Sequence, residues 1–174
     1  AMIRGAFEYQ GQKCSAMSRA YIPSSIWNDL KPKYLSELES IKVGSPEDFS
    51  NFMNAVIDSQ AFESITQYIQ FAEKSNEAEI ISGGTYDDTT GYFISPTTIL
   101  TTNPNFKTLE EEIFGPVLTI YIYDPSDWYE VLRLIDNTSP YALTGCVMGK
   151  NKEAIKEATD HLTQSAGNFY INDK

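Results

Sequence analysis

The chain has 174 residues, 41% hydrophobic and 13% aromatic. That stocks one globular core, and a domain of this size buries roughly 70% of its unfolded surface without disulfide or metal staples. Thirteen Lys and Arg against 24 Asp and Glu leave a net charge of −11, a field that repels phosphate backbones and anionic lipid and weighs against nucleic-acid or membrane partners.

Helix and strand signals alternate along the chain. Residues 5–18 read as partly helical and 19–22 as a short strand. Pro23, Ser24 and Ser25 open a helix to about residue 39, with Ile26, Trp27, Leu30, Tyr34 and Leu38 near helical spacing. A turn follows at 43–48. Phe62, Ile65, Tyr68, Ile69 and Ala72 predict a helix over 61–75, and 78–82 a strand closed by two glycines. Residues 92–94 and 97–101 are β-rich around Pro96, an edge or bulge residue. The strongest buried strand is predicted over 117–123, followed by a helix from Pro125 to residue 136. A strand over 143–148, a helix over 151–164 and a strand over 167–171 close the pattern. This order predicts one α/β domain over residues 1–174, a largely parallel sheet with helices on both faces.

Two cysteines, neither in a C-x-x-C pair, read as reduced thiols of an intracellular protein. His161 is the single histidine, so a zinc site built from His and Cys lacks ligands, and no metal is expected. On its helical run, His161 reads as a solvated or helix-terminal residue. Cys14 lies in the glycine-led stretch Gly11-Gln12-Lys13-Cys14-Ser15-Ala16. Gly11 allows a sharp turn that presents the thiol at a helix start, and Lys13 supplies a cation that favours thiolate; a buried structural cysteine is the alternative. Cys146, among strand-forming apolar residues, reads as core. Three acids, Glu110 to Glu112, precede Ile113-Phe114-Gly115-Pro116-Val117. A carboxylate where a chain enters a sheet can accept hydrogen bonds from ligand hydroxyls, with Phe114 offering a face; a solvated acidic turn is the alternative. Asp87 to Gly91 lacks the spacing of a calcium loop and reads as a polar turn. No G-x-G-x-x-G or P-loop occurs to cradle a pyrophosphate.

Taken together, these stretches resemble the catalytic domain of the aldehyde dehydrogenase superfamily. Gly11-Gln12-Lys13-Cys14 matches its nucleophile motif and Glu111 to Val117 its E-E-I-F-G-P-V stretch. Tyr141 to Gly145 and Gly167 to Asn172 match its two late motifs, in order and spacing. The segment from Ala6 to Ala16 and the end of the chain resemble the branch that oxidises glutamate γ-semialdehyde to glutamate in proline breakdown.

The resemblance implies roles. Cys14 attacks the aldehyde to give a thiohemiacetal whose oxyanion its own backbone N–H helps hold, and NAD is the oxidant. Ser15 contacts the substrate carboxylate, and Lys13 tunes the thiolate side of the pocket. Glu112 accepts hydrogen bonds from the nicotinamide ribose, and Phe114 packs near that ribose and ring. It also implies a homo-oligomeric complete enzyme, in the mitochondrial matrix of a eukaryote or otherwise in the cytoplasm. The family's dinucleotide-binding domain, general-base glutamate and closing C-terminal segment have no counterpart in these 174 residues. The chain therefore reads as a catalytic-domain fragment, about a third of an enzyme and inactive alone. Another aldehyde dehydrogenase branch, a stand-alone cysteine acyl-transfer enzyme and a non-catalytic interaction module are the competing readings.

Overall fold

A computed structural model describes residues 1–173; Lys174, at the end of the last stretch of resemblance, lies outside the described residues. The first helix, α1 (Met2–Phe7), leads through a tight turn at Glu8–Gly11 to β1 (Arg19–Pro23) and α2 (Ser24–Glu39). Next come α3 (Ser59–Glu73), β2 (Ala78–Ser82), the short pair β3 (Tyr86–Asp87) and β4 (Phe93–Ile94), then β5 (Thr97–Thr101). A single helical turn, α4 (Lys107–Glu110), precedes β6 (Val117–Tyr123). The chain closes with α5 (Trp128–Asn137), β7 (Thr144–Val147), α6 (Lys152–His161) and β8 (Asn168–Ile171).

The main sheet runs β1-β6-β5-β2, with β1 and β5 parallel to the central β6 and β2 antiparallel at one edge. Period-two alternation in β5 and β6 divides their side chains between two cores. Ile99 and Val117 face α3, packed with Phe62, Ile65, Ile69 and Ala72. Leu118 and Ile120 join Ile22 of β1 and face α1 and α2 through Phe7, Trp27, Tyr34 and Leu38. Helices thus cover both faces, as the alternation predicts. Polar groups inside are paired: Tyr34 Oη lies 2.6 Å from Thr98 Oγ1, and Thr119 Oγ1 donates to Thr108 Oγ1 at 2.7 Å.

One part of the pattern resolves differently. The strands β7 and β8 are parallel to each other, but they form a separate two-stranded sheet over a small third core of Leu132, Ala158 and Leu162. Side chains join this layer to the main sheet in place of a backbone ladder. Thr144 Oγ1 donates to the Ser15 carbonyl at 3.2 Å, and one Arg19 nitrogen donates to the Tyr141 carbonyl at 3.2 Å. No helix among the described residues is long and apolar enough to cross a membrane.

Candidate active site

The segment before Cys14 is wound the wrong way for ordinary residues. Tyr9, Gln10 and Gly11 have φ of +57°, +58° and +66°, a run of left-handed backbone that disfavours any side chain with a Cβ. Side-chain bonds hold it there. The buried Gln10 amide donates to the Ala55 carbonyl at 3.2 Å and accepts from Asn54 N–H at 3.1 Å. Gln12 accepts from Ile57 N–H at 2.9 Å. Both glutamines therefore dock the turn on segment 54–57.

Beyond that turn, Lys13, Cys14 and Ser15 form a bend closed by Ala16 N–H on the Lys13 carbonyl, 2.9 Å. Cys14 is exposed, as is Ser15. The thiol thus sits on a turn entering β1 and not at a helix start, because the left-handed run ends α1 well before it. The Lys13 ammonium is 2.7 Å from Glu8, which also takes Arg4 at 3.0 Å. Hydrogen bonds from Lys13 and Arg4 hold the Glu8 carboxyl down to about 2. Lys13 is thereby engaged by a carboxylate that sequence reasoning passed over; its signal was the i, i+4 spacing of Arg4 and Glu8.

The acidic turn is built from α4 and α3. Tyr68 of α3 donates its hydroxyl to Glu111 at 2.6 Å, and Lys107 lies 3.8 Å from that carboxylate and 5.0 Å from the Tyr68 ring centre. The hydrogen bond to Glu111 pushes the Tyr68 phenol up to about 12. Ile113 is buried in the α3 core, whereas Glu112 on one side and Phe114 on the other are exposed. Phe114 also takes a left-handed φ of +56°. Among the described residues, Glu112 makes no hydrogen bond or ion pair.

The two segments meet at Gly11 and Gly115. Between them, the 54–58 strip and the start of α3 lies an open groove of about 640 Å³. Tyr9, Gln12, Ile113 and Phe114 line it, with Ala61 and Ser64 of α3 opposite. Cys14 follows Gln12 by two residues and Glu112 precedes Phe114 by two. The exposed Phe114 ring therefore lines the groove itself, while the exposed Cys14 and Glu112 each lie two residues along the chain from a lining residue.

Other sequence candidates stand elsewhere. His161 ends α6, its Nδ1 2.9 Å from the Glu157 carbonyl and its ring beside Tyr129, so its contacts do not include Cys14. Cys146 is half-buried in β7, and burial pushes its thiol up. Asp87 caps its own turn through Thr89. Among the described residues, no cluster of His, Cys, Asp and Glu could hold a metal ion.

The fold and the motifs bordering this groove define a class, and the family model for the aldehyde dehydrogenase family matches residues 1–174. The chain belongs to that family. Among its relatives is the mitochondrial delta-1-pyrroline-5-carboxylate dehydrogenase of Dictyostelium discoideum, 54% identical over 172 residues. The mitochondrial enzyme of that name from Homo sapiens is 47% identical over 173 residues. In both cases the match covers 99% of this chain and 31% of the relative. A crystal structure of delta-pyrroline-5-carboxylate dehydrogenase from Mycobacterium tuberculosis bound with NAD superposes with a TM-score of 0.91 at 41% identity, covering 99% of this chain and 31% of that one. The chain thus spans about a third of the length of the relatives it matches.

Proposed function

We propose that this chain is the nucleophile-bearing domain of an NAD-dependent dehydrogenase that oxidises glutamate γ-semialdehyde to glutamate. The observation that carries the reading is the backbone contact of Gly11 with Gly115, which joins the Cys14 turn to the turn of Glu112 and Phe114 at one groove. Identity of 54% to a named delta-1-pyrroline-5-carboxylate dehydrogenase supports the substrate.

The Cys14 sulfur attacks the aldehyde carbon, forming a C–S bond and an oxyanion. The Cys14 backbone N–H donates to that oxyanion. Oxidation then yields a thioester on Cys14, and water releases the carboxylate and restores the thiol. Ser15, exposed beside the nucleophile, donates to the carboxylate end of the substrate. Lys13 lends positive potential to the same side, moderated by its pairing with Glu8.

NAD, when bound, supplies the two-electron acceptor. The donor set fits the group: a carboxylate with no engaged partner suits ribose hydroxyls, and an exposed ring suits packing against a sugar and a flat heterocycle. Glu112 would hold the ribose and Phe114 would pack beside it. The complete enzyme is a homo-oligomer, an assignment supported by exposed Leu143, Met148 and Ile171 around the β7–β8 layer. In a eukaryotic source it resides in the mitochondrial matrix, a reading supported as far as the organelle by the mitochondrial Dictyostelium and human relatives.

Steady-state turnover of the complete enzyme tests the substrate. A kcat/KM for glutamate γ-semialdehyde well above that for short aliphatic aldehydes is expected. Equal or better turnover of the aliphatic aldehydes would overturn the assignment.

A further inference from the structure

The face of α3 that borders the groove repeats at helical spacing: Ala61, Ser64, Ile65 and Tyr68. Each meets the groove or the acidic turn. Ala61 and Ser64 line the groove, Ile65 lies under Gly115, where an added Cβ would come within 2.5 Å of its Cδ1, and Tyr68 donates to Glu111 at 2.6 Å. The turn is thus pinned by α3 on both sides of Glu112, through the Glu111 carboxylate before it and the buried Ile113 after it. Packing explains Ile113 and Gly115. It does not explain why a hydroxyl and a carboxylate, with Lys107 stacked over the ring, should meet on the exposed rim.

We propose that the Tyr68–Glu111 hydrogen bond is a positioning device for Glu112 and Phe114, setting the affinity for the ribose of a nicotinamide dinucleotide. The inference rests on the reading that Glu112 binds that ribose. Backbone geometry supports it. Glu111 is the residue where helical backbone gives way to extended backbone, with φ −94° and ψ +149°. Its N–H still bonds the Lys107 carbonyl at 3.0 Å. Anchoring the side chain at that junction fixes the direction in which the next residue leaves α4. Without the anchor, Ile113 and the Glu111–Lys107 contacts would still hold the turn. The Glu111 side chain would be fixed less firmly, however, and the exposed Glu112 carboxylate would lose orientation before binding.

The test uses the complete enzyme and three variants: Tyr68→Phe, which removes only the hydroxyl, Glu111→Gln, and Glu112→Gln. NAD affinity is read by calorimetric titration, kcat at saturating NAD, and Cys14 reactivity by iodoacetamide. Tyr68→Phe should weaken NAD about three- to tenfold while kcat stays within about twofold. Cys14 alkylation should be unchanged. Glu111→Gln keeps a neutral acceptor for the Tyr68 hydroxyl and should weaken NAD by no more than Tyr68→Phe. The double variant should lose no more than Tyr68→Phe alone, as partners in one bond do. If Glu112→Gln weakens NAD but Tyr68→Phe and Glu111→Gln leave it unchanged, the positioning role is wrong and the ribose assignment stands. If Glu112→Gln also leaves NAD binding unchanged, the ribose assignment falls and the inference with it. Parallel losses in kcat, alkylation and affinity in Tyr68→Phe and Glu111→Gln would reveal general damage to the fold and overturn the specific role.

Discussion

A Cβ on Gly11 would stand 2.3 Å from the carbonyl oxygen of Gly115 and 2.9 Å from that of Ala6. The turn before Cys14 and the turn after Glu112 therefore touch backbone to backbone, and no side chain fits between them. Gly11 also holds a φ of +66°, so substitution there costs twice.

Gly11→Ala combines overpacking against rigid backbone with left-handed strain, which together cost about 2–4 kcal/mol. Gly149→Ala is the control, because the nearest atom to its added Cβ is Ile155 Cγ1 at 3.8 Å. Urea denaturation should show a large loss for the first and little change for the second. A Gly11→Ala protein as stable as the parent would mean that the two turns do not meet as described.

The two thiols should separate by access. Cys14 is exposed, whereas Cys146 is half-buried and burial pushes its thiol up, away from the reactive thiolate. Iodoacetamide at neutral pH should modify Cys14 at least about tenfold faster, read by mass spectrometry of peptides. In the complete enzyme, Cys14→Ser should abolish aldehyde oxidation, since a hydroxyl without an activating base is a poor nucleophile. Cys146→Ser should affect stability alone, and comparable loss of turnover in a well-folded Cys146→Ser enzyme would reassign the nucleophile.

Acid should release the Arg4–Glu8–Lys13 cluster. The Glu8 carboxyl falls from 4.5 to about 2 on folding, chiefly through the Lys13 hydrogen bond and then Arg4. A depressed carboxyl contributes stability that is present above pH 4.5 and lost as pH falls toward 2. The cluster is solvent-accessible, so its contribution is that of a surface network, about 1 kcal/mol or less. Glu8→Gln should remove that part of the acid dependence in urea titrations from pH 6 to pH 2. An acid limb identical to the parent's would show that Glu8 ionises as freely folded as unfolded.

Much of this was legible in the sequence, and the exceptions have physical causes. Periodicity located α2 and α3, which each bury one regular face, and the short apolar and β-branched runs marked β1, β5 and β6, the last two buried on both faces. It missed the Lys107–Glu110 turn, which is too short to show a period, and the two-residue strands β3 and β4 form only a small pair. The motif around Cys14 was visible, but its placement was not: the left-handed run at Tyr9 and Gln10 depends on bonds to residues 54 and 55, more than forty positions away. For the same reason local spacing could not reveal that Tyr68 anchors Glu111, a bond spanning 43 residues. Phe114 could be singled out as an exposed ring beside an acid, yet its left-handed backbone follows from packing of Ile113 and Gly115 against α3.

The 174-residue chain on its own should fold without oxidising aldehydes. Its three cores are built from residues of this chain, and its main sheet is covered by its own helices on both faces. Turnover needs more than a core: a nucleophile, a bound electron acceptor and a water-activating group must converge. These residues offer the Cys14 thiol and, in Glu112, one carboxylate suited to ribose hydroxyls. They contain no glycine-rich pyrophosphate turn, and one side-chain contact does not hold a dinucleotide. Calorimetric titration should therefore show no saturable NAD binding below about millimolar concentration, where roughly 4 kcal/mol of binding free energy lies. Absorbance should show no NADH formed from glutamate γ-semialdehyde, while Cys14 remains open to alkylation. Micromolar NAD binding, or steady NADH production, would place the whole catalytic apparatus within these 174 residues and refute the division of labour proposed for them.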